Sequence, residues 1–140
     1  MKSIPVWHVG LSVRNPDLDV QHITILETCR DLVASAATQP RCPERVLALL
    51  QDVAALVRHH HAFEEGVLES HGCPTLAEVV DHHKSVQAML DSLVRDADHQ
   101  STDFECLSHS ITEWAWSHLH ERDMPLKAYL KWHHQIAVAN

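Results

Sequence analysis

Histidine is the outlier in this sequence: fourteen of 140 residues, spread along the chain rather than gathered in a terminal run. Imidazole is the commonest metal-ligating side chain, so composition raises metal binding and spacing has to test it. Four of them, His22, His60, His83 and His118, fall on the inward stripes of four separate helical segments. One buried imidazole is ordinarily a hydrogen-bonded core residue. Four packed together would leave polar nitrogens unsatisfied, whereas a metal satisfies several at once. His60 and Glu64 stand four residues apart and project from one helix face, which Leu56, Val57 and Val67 keep apolar. His118 and Asp123 stand five apart, which a regular helix places well off one face. Pro125 resolves this, because its ring conflicts with the carbonyl of Glu121 and loosens the helix there. Asp123 can then turn back to the site through a π-type bulge. Imidazoles with two carboxylates suit iron or manganese better than structural zinc, which takes a closed tetrahedron, often with thiolates. Carboxylates can bridge two ions, and two ions sharing two carboxylates leave a position for a small molecule such as O2.

Such side chains need a scaffold that brings four helices together. Residues 1–16 read as an extended arm containing Pro5, Gly10 and Pro16. From about Pro16 to Ala37, Leu18, His22, Ile25, Leu26, Cys29, Leu32 and Val33 recur at helical steps, until residues 38–43 break the pattern. A second helix begins near Pro43, with Val46, Leu49, Leu50, Val53, Leu56, Val57, His60, Glu64 and Val67 as its inner stripe and Gly72 as its C-cap. Thr75 is placed to cap a third helix, with Glu78 as capping-box partner and Leu76, Val79, Val80, Val86, Leu90 and Leu93 inward. A polar connection, Asp96 to Thr102, leads to a fourth helix carrying Leu107, Ile111, Trp114 and His118, which fails before Pro125. Leu126 to Trp132 adds a short terminal helix. The expected fold is all-α: one domain over 1–140, an up-down-up-down four-helix bundle with an N-terminal arm and a short C-terminal helix.

The net charge of −8 argues against nucleic acid, whose phosphates need a basic face. No basic amphipathic stretch suggests a membrane surface, no run approaches a membrane span, and the first residues hold no apolar signal core. The expected compartment is the cytoplasm, where Cys29, Cys42, Cys73 and Cys106 stay reduced; none forms a CxxC pair. The remaining histidines read as bland. His59, His61 and His71 are expected to face solvent, and His8 and His109 to be surface or packing residues. His120, His133 and His134 lie toward the C-terminal end. Trp7, Trp114, Trp116 and Trp132 are expected to pack core and arm, with Trp114, one turn before His118, lining a small-molecule pocket.

Taken together, the motifs resemble the hemerythrin family, specifically its single-domain bacterial members, over nearly the whole chain. The similarity lies in Trp7, then Leu18-Asp19-Val20-Gln21-His22, then His60-His61-Ala62-Phe63-Glu64-Glu65, the His71-Gly72-Cys73-Pro74 loop, and Trp114-Ala115-Trp116-Ser117-His118 followed by Asp123. The resemblance implies two irons bridged by Glu64, Asp123 and an oxo or hydroxo group, with His22 and His60 on one iron, His83 and His118 on the other, and O2 as ligand. One position departs from the family. Its third helix carries His-x-x-x-His, and in the gapless register the second histidine is His83 while the first falls on Val79, which cannot coordinate a metal. A one-residue slip would instead pair His82 with Glu78, leaving Glu78 to replace the missing imidazole.

Three functions follow as expectations. The first is reversible binding of O2, for storage, delivery or sensing. The second is a di-iron oxidase, peroxidase or NO-handling enzyme, which an extra open position left by the missing histidine would favour. The third is a helical interaction module with a degenerate site, against which the retained Glu64 and Asp123 argue. The expected partner is O2, another small diatomic or a peroxide.

Overall fold

The structure, a computed structural model, describes residues 2–132. Four long helices make up the bundle: α1 (Pro16–Ala37), α2 (Pro43–Ser70), α3 (Leu76–Asp98) and α4 (Phe104–Ser117). No strand occurs among the described residues. Connections too short for a crossover reverse the chain between consecutive helices, which gives the up-down-up-down order. α1 packs against α2 and α4, and α2 against α3. The buried side chains of α1, Leu18, His22, Ile25, Leu26, Cys29 and Leu32, follow the expected stripe. Leu50, Val53, Val57, Val86, Leu90, Leu107 and Ile111 complete the core from the other three helices.

The helix ends have local causes. Asn15 caps α1 by accepting from the Leu18 amide (3.3 Å), with Pro16 in the first turn. α2 ends in a Schellman motif: Cys73 N–H donates to the Leu68 carbonyl (3.0 Å) and Gly72 N–H to that of Glu69 (3.2 Å), with Gly72 at φ +68°. Asp103 caps α4 through the amides of Glu105 and Cys106. The capping box expected at α3 does not form. Thr75 has φ −107°, ψ 22°, outside the extended region an N-cap needs, and its hydroxyl lies 3.5 Å from Cys73 Sγ instead. α3 also runs through Asp98, into the stretch expected to be a connection.

α4 does not simply stop before Pro125. It passes into a π-helical turn, His118–Asp123, then a 3-10 turn, Met124–Leu126, and a short α5 (Lys127–Leu130). The arm includes a 3-10 turn, Val9–Leu11. It is fastened where Asp19 accepts from Ser12 Oγ (2.6 Å) and the Val13 amide (3.0 Å), and where Arg30 donates to the Pro5 carbonyl (2.9 Å). Asn15 Nδ2 donates to the Leu130 carbonyl (3.0 Å), tying the start of α1 to α5. Trp132, expected to pack, is 57% exposed.

Candidate metal centre

Five buried side chains from three elements converge between the helices: His22 from α1, His60 and Glu64 from α2, and His118 and Asp123 from the π turn. One nitrogen or oxygen of each lies within 4.8 Å of all the others. The π turn is what brings the last two together. Its hydrogen bonds span five residues, as in Met124 N–H to the Leu119 carbonyl, so residues five apart return to one face.

The Nε2 atoms of His22, His60 and His118 form a tight triangle, with sides of 3.2, 2.9 and 3.3 Å. Asp123 Oδ2 lies 2.7 Å from His22 Nε2, 2.9 Å from His118 Nε2 and 3.8 Å from His60 Nε2. Glu64 divides its carboxylate: Oε2 is 3.3 Å from His60 Nε2, and Oε1 is 3.1 Å from His83 Nε2. These contacts do not satisfy the group internally. Glu64 Oε2 and both oxygens of Asp123 are buried, and despite the short distances none receives a well-aligned hydrogen bond. A neutral imidazole Nε2 offers either one proton or one lone pair, so three of them aimed at one point cannot all pair with each other. A cation at that point accepts every lone pair.

Electrostatics points the same way. Burial opposes charge on His60, but the contacts with Asp123 and Glu64 and their negative charge outweigh it and raise the imidazole to about 9. Burial likewise opposes charge on His83, and Glu64 and Glu65 overcome it and raise its pKa. For His22 burial wins over Asp123, and its pKa falls. Burial would raise Asp123, but the charge of His118 and contacts with His118, His22 and His60 hold its carboxyl well below the usual range. Two buried carboxylates thus draw positive charge into the core, as protons on imidazoles or as a cation in their place. The donor set fits a metal.

Outer contacts aim the candidate ligands. Gln21 Oε1 accepts from His60 Nδ1 (2.8 Å) and Glu65 Oε2 from His83 Nδ1 (2.7 Å), leaving each Nε2 to face the centre. The Trp114 ring lies against that of His118, centroids 5.1 Å apart. Trp114, Ala115, Leu119, Ile25 and Leu26 line, with His22 and His118, a cavity of about 10 Å³. Sequence reading did not single out Gln21 or Glu65 for this role.

Of the six favoured residues, the structure brings five into one group and places His83 on the outer oxygen of Glu64. His118 therefore stands with His22 and His60, not in a pair with His83. His82, the alternative to His83, is half-buried, its ring centroid 6.5 Å from that of His83. Glu78 is exposed in the first turn of α3, so the side-chain pairing of Glu78 with His82 at the centre is not formed.

His61 corrects the sequence reading. Expected at the surface, it is buried, and its ring lies parallel to that of His83 with centroids 3.7 Å apart. Burial and the neighbouring His83, His118 and His60 lower its pKa to about 2. The cause is a small rotation of the inner face of α2: Leu68, not Val67, is buried, and Ala54, Val57, His61, Glu64 and Leu68 lie on one stripe. His71 is also half-buried, donating from Nδ1 to the Tyr129 carbonyl (2.6 Å). His8, His59 and His109 are exposed, and His120 stacks on Trp116. His133 and His134 lie outside the described residues.

A helical bundle with buried imidazoles and carboxylates facing one point defines a class, the metal-binding bundles. Within that class the chain belongs to the hemerythrin HHE cation-binding domain family, whose sequence model matches residues 15–130. No curated protein matches the chain. Among the described residues no helix is long and apolar enough to cross a membrane.

Proposed function

We propose that this protein holds two iron ions and binds O2 reversibly, with His22, His60, Glu64, His83, His118 and Asp123 as ligands. The observation that carries the reading is the Glu64 carboxylate, which offers one oxygen to His60 and the other to His83. A buried carboxylate so placed suits two cations rather than one. Two ferrous ions held by these residues would supply the electrons that reversible O2 binding needs.

The chain's own residues do the rest. Glu64 and Asp123, both buried, would offset the charge of the cations. Gln21 and Glu65 hold the His60 and His83 imidazoles with Nε2 inward. The cavity beside His22 and His118 is walled by apolar groups and, at about 10 Å³, is no larger than a single water needs. A space that small excludes bulky reductants, which supports binding over turnover, and a diatomic would enter it with a small shift of the lining side chains.

Elemental analysis of protein made in iron-supplied cells is expected to give two irons per chain. The anaerobically reduced protein, exposed to air, is expected to show an optical band that disappears when O2 is removed. One tightly held zinc per chain overturns the di-iron reading. Rapid turnover with peroxide or a reductant, without a lasting O2-bound form, assigns an oxidase or peroxidase instead.

A further inference from the structure

We propose that His61 is a fifth imidazole ligand, serving the ion held between Glu64 and His83; this rests on the two-ion reading above. The two sides of the centre are unequally furnished. Around Glu64 Oε2 stand three imidazoles and Asp123, whereas at Glu64 Oε1 stands His83 alone. On α3, Val79 lies one turn before His83 and is apolar, packed into the cluster of Val13, Leu18, Leu68, Cys73 and Leu130. That helix supplies no second buried imidazole.

His61 supplies it from α2. The residue is only 5% exposed, and its Nε2 is buried with no hydrogen-bond partner. Buried polar groups are almost always partnered, so an unpartnered imidazole nitrogen beside a ligand set needs a reason. Its ring stacks on His83 at 3.7 Å and lies 6.0 Å from His118. It sits three residues before Glu64 on one helix face, so a single rigid element would present His60, His61 and Glu64 to the pair of ions. Ligation would require the ring to turn about its side-chain bonds, out of the stack on His83, so that Nε2 faces the ion. A merely packing role explains the stack but not the orphaned nitrogen.

The test separates packing from ligation. His61→Phe keeps a flat ring against His83 and removes the nitrogen. Iron titration with chelator competition is expected to give two ions in the wild type, the second bound at least tenfold more weakly in His61→Phe. Adding Val79→His, which sets an imidazole four residues before His83, is expected to restore it. Two ions of unchanged affinity in a folded His61→Phe protein overturn the proposal while leaving the two-ion reading intact. One ion in the wild type overturns both. Should the variant fail to fold, the wild type decides: reduced, iron-loaded protein is expected to show five exchangeable, hyperfine-shifted imidazole N–H proton resonances, and four overturn the role of His61.

Discussion

Gln21 and Glu65 touch no neighbour's Nε2, yet they decide where two ligand nitrogens point. Each accepts the Nδ1 proton of an imidazole, His60 or His83, fixing its tautomer and orientation. Gln21→Ala and Glu65→Ala are each expected to weaken metal binding by about 10–100-fold, measured by chelator competition. Glu64→Ala should lose metal far more severely than His59→Ala, since Glu64 is buried between imidazoles and His59 is exposed; equal metal content in the two would place the helix face wrongly. Acid should oppose loading with a defined sign. The metal-free His60, raised to about 9, carries a proton at neutral pH that the metal must displace. Apparent affinity is therefore expected to rise with pH by about one logarithmic unit per pH unit from this group up to about pH 9, then flatten; a flat profile between pH 7 and 9 would show that no proton is displaced from His60 there. At this scale the sequence is legible where spacing and chemistry agree, as at His60 and Glu64. His61 is hidden because its neighbour His60 already occupies the face, and choosing Val67 over Leu68 as the last apolar position turns the stripe away from it. Glu65 is hidden because a carboxylate on the flank of a helix has no periodic signature.

The π turn converts an awkward sequence interval into a site. His118 and Asp123 reach one point only because the ladder there spans five residues. Pro125, which can donate no amide hydrogen and crowds the Glu121 carbonyl, stands just beyond the turn and disfavours a regular α-helix. Pro125→Ala is expected to let the helix regularise, leaving the metal-free protein as stable or more so while weakening metal binding by about tenfold or more, on the precedent of displaced ligand supports. Thermal unfolding and metal content of the same samples check this; unchanged metal binding would show that the turn holds without the proline. The turn was legible because five-residue spacing and a following proline conflict with an α-helix in one definite way. The boundaries of α1 and α2 were legible for similar reasons, prolines in first turns and a glycine at φ +68°. The start of α3 was not, because a Thr-x-x-Glu pattern states which side chains are available, not whether the backbone enters the helix through extended angles.

Across the whole molecule, a metal held by the proposed ligands would clamp α1, α2, α3 and the turn after α4 together. Removing the metal should lower the melting temperature. At a free metal concentration 100 times the dissociation constant, the folded state gains about 2.7 kcal/mol per site by mass action, so chelation is expected to remove roughly that much. Calorimetry with and without chelator measures it, and coincident transitions would show that the cluster binds no metal. The clamp also has a kinetic side. His22 and His118 are 96 residues apart along the chain, so bringing their nitrogens together needs α1 to meet α4 at a high loop-closure cost. A site that needs so distant a pairing is expected to form after the folding barrier, and helices packed through local contacts before it. Metal should consequently leave the refolding rate almost unchanged and slow unfolding by nearly the full binding free energy, displacing one arm of the chevron and not the other. A chain of this kind, once loaded, would guard its metal through a long lifetime of the folded state rather than through speed in reaching it.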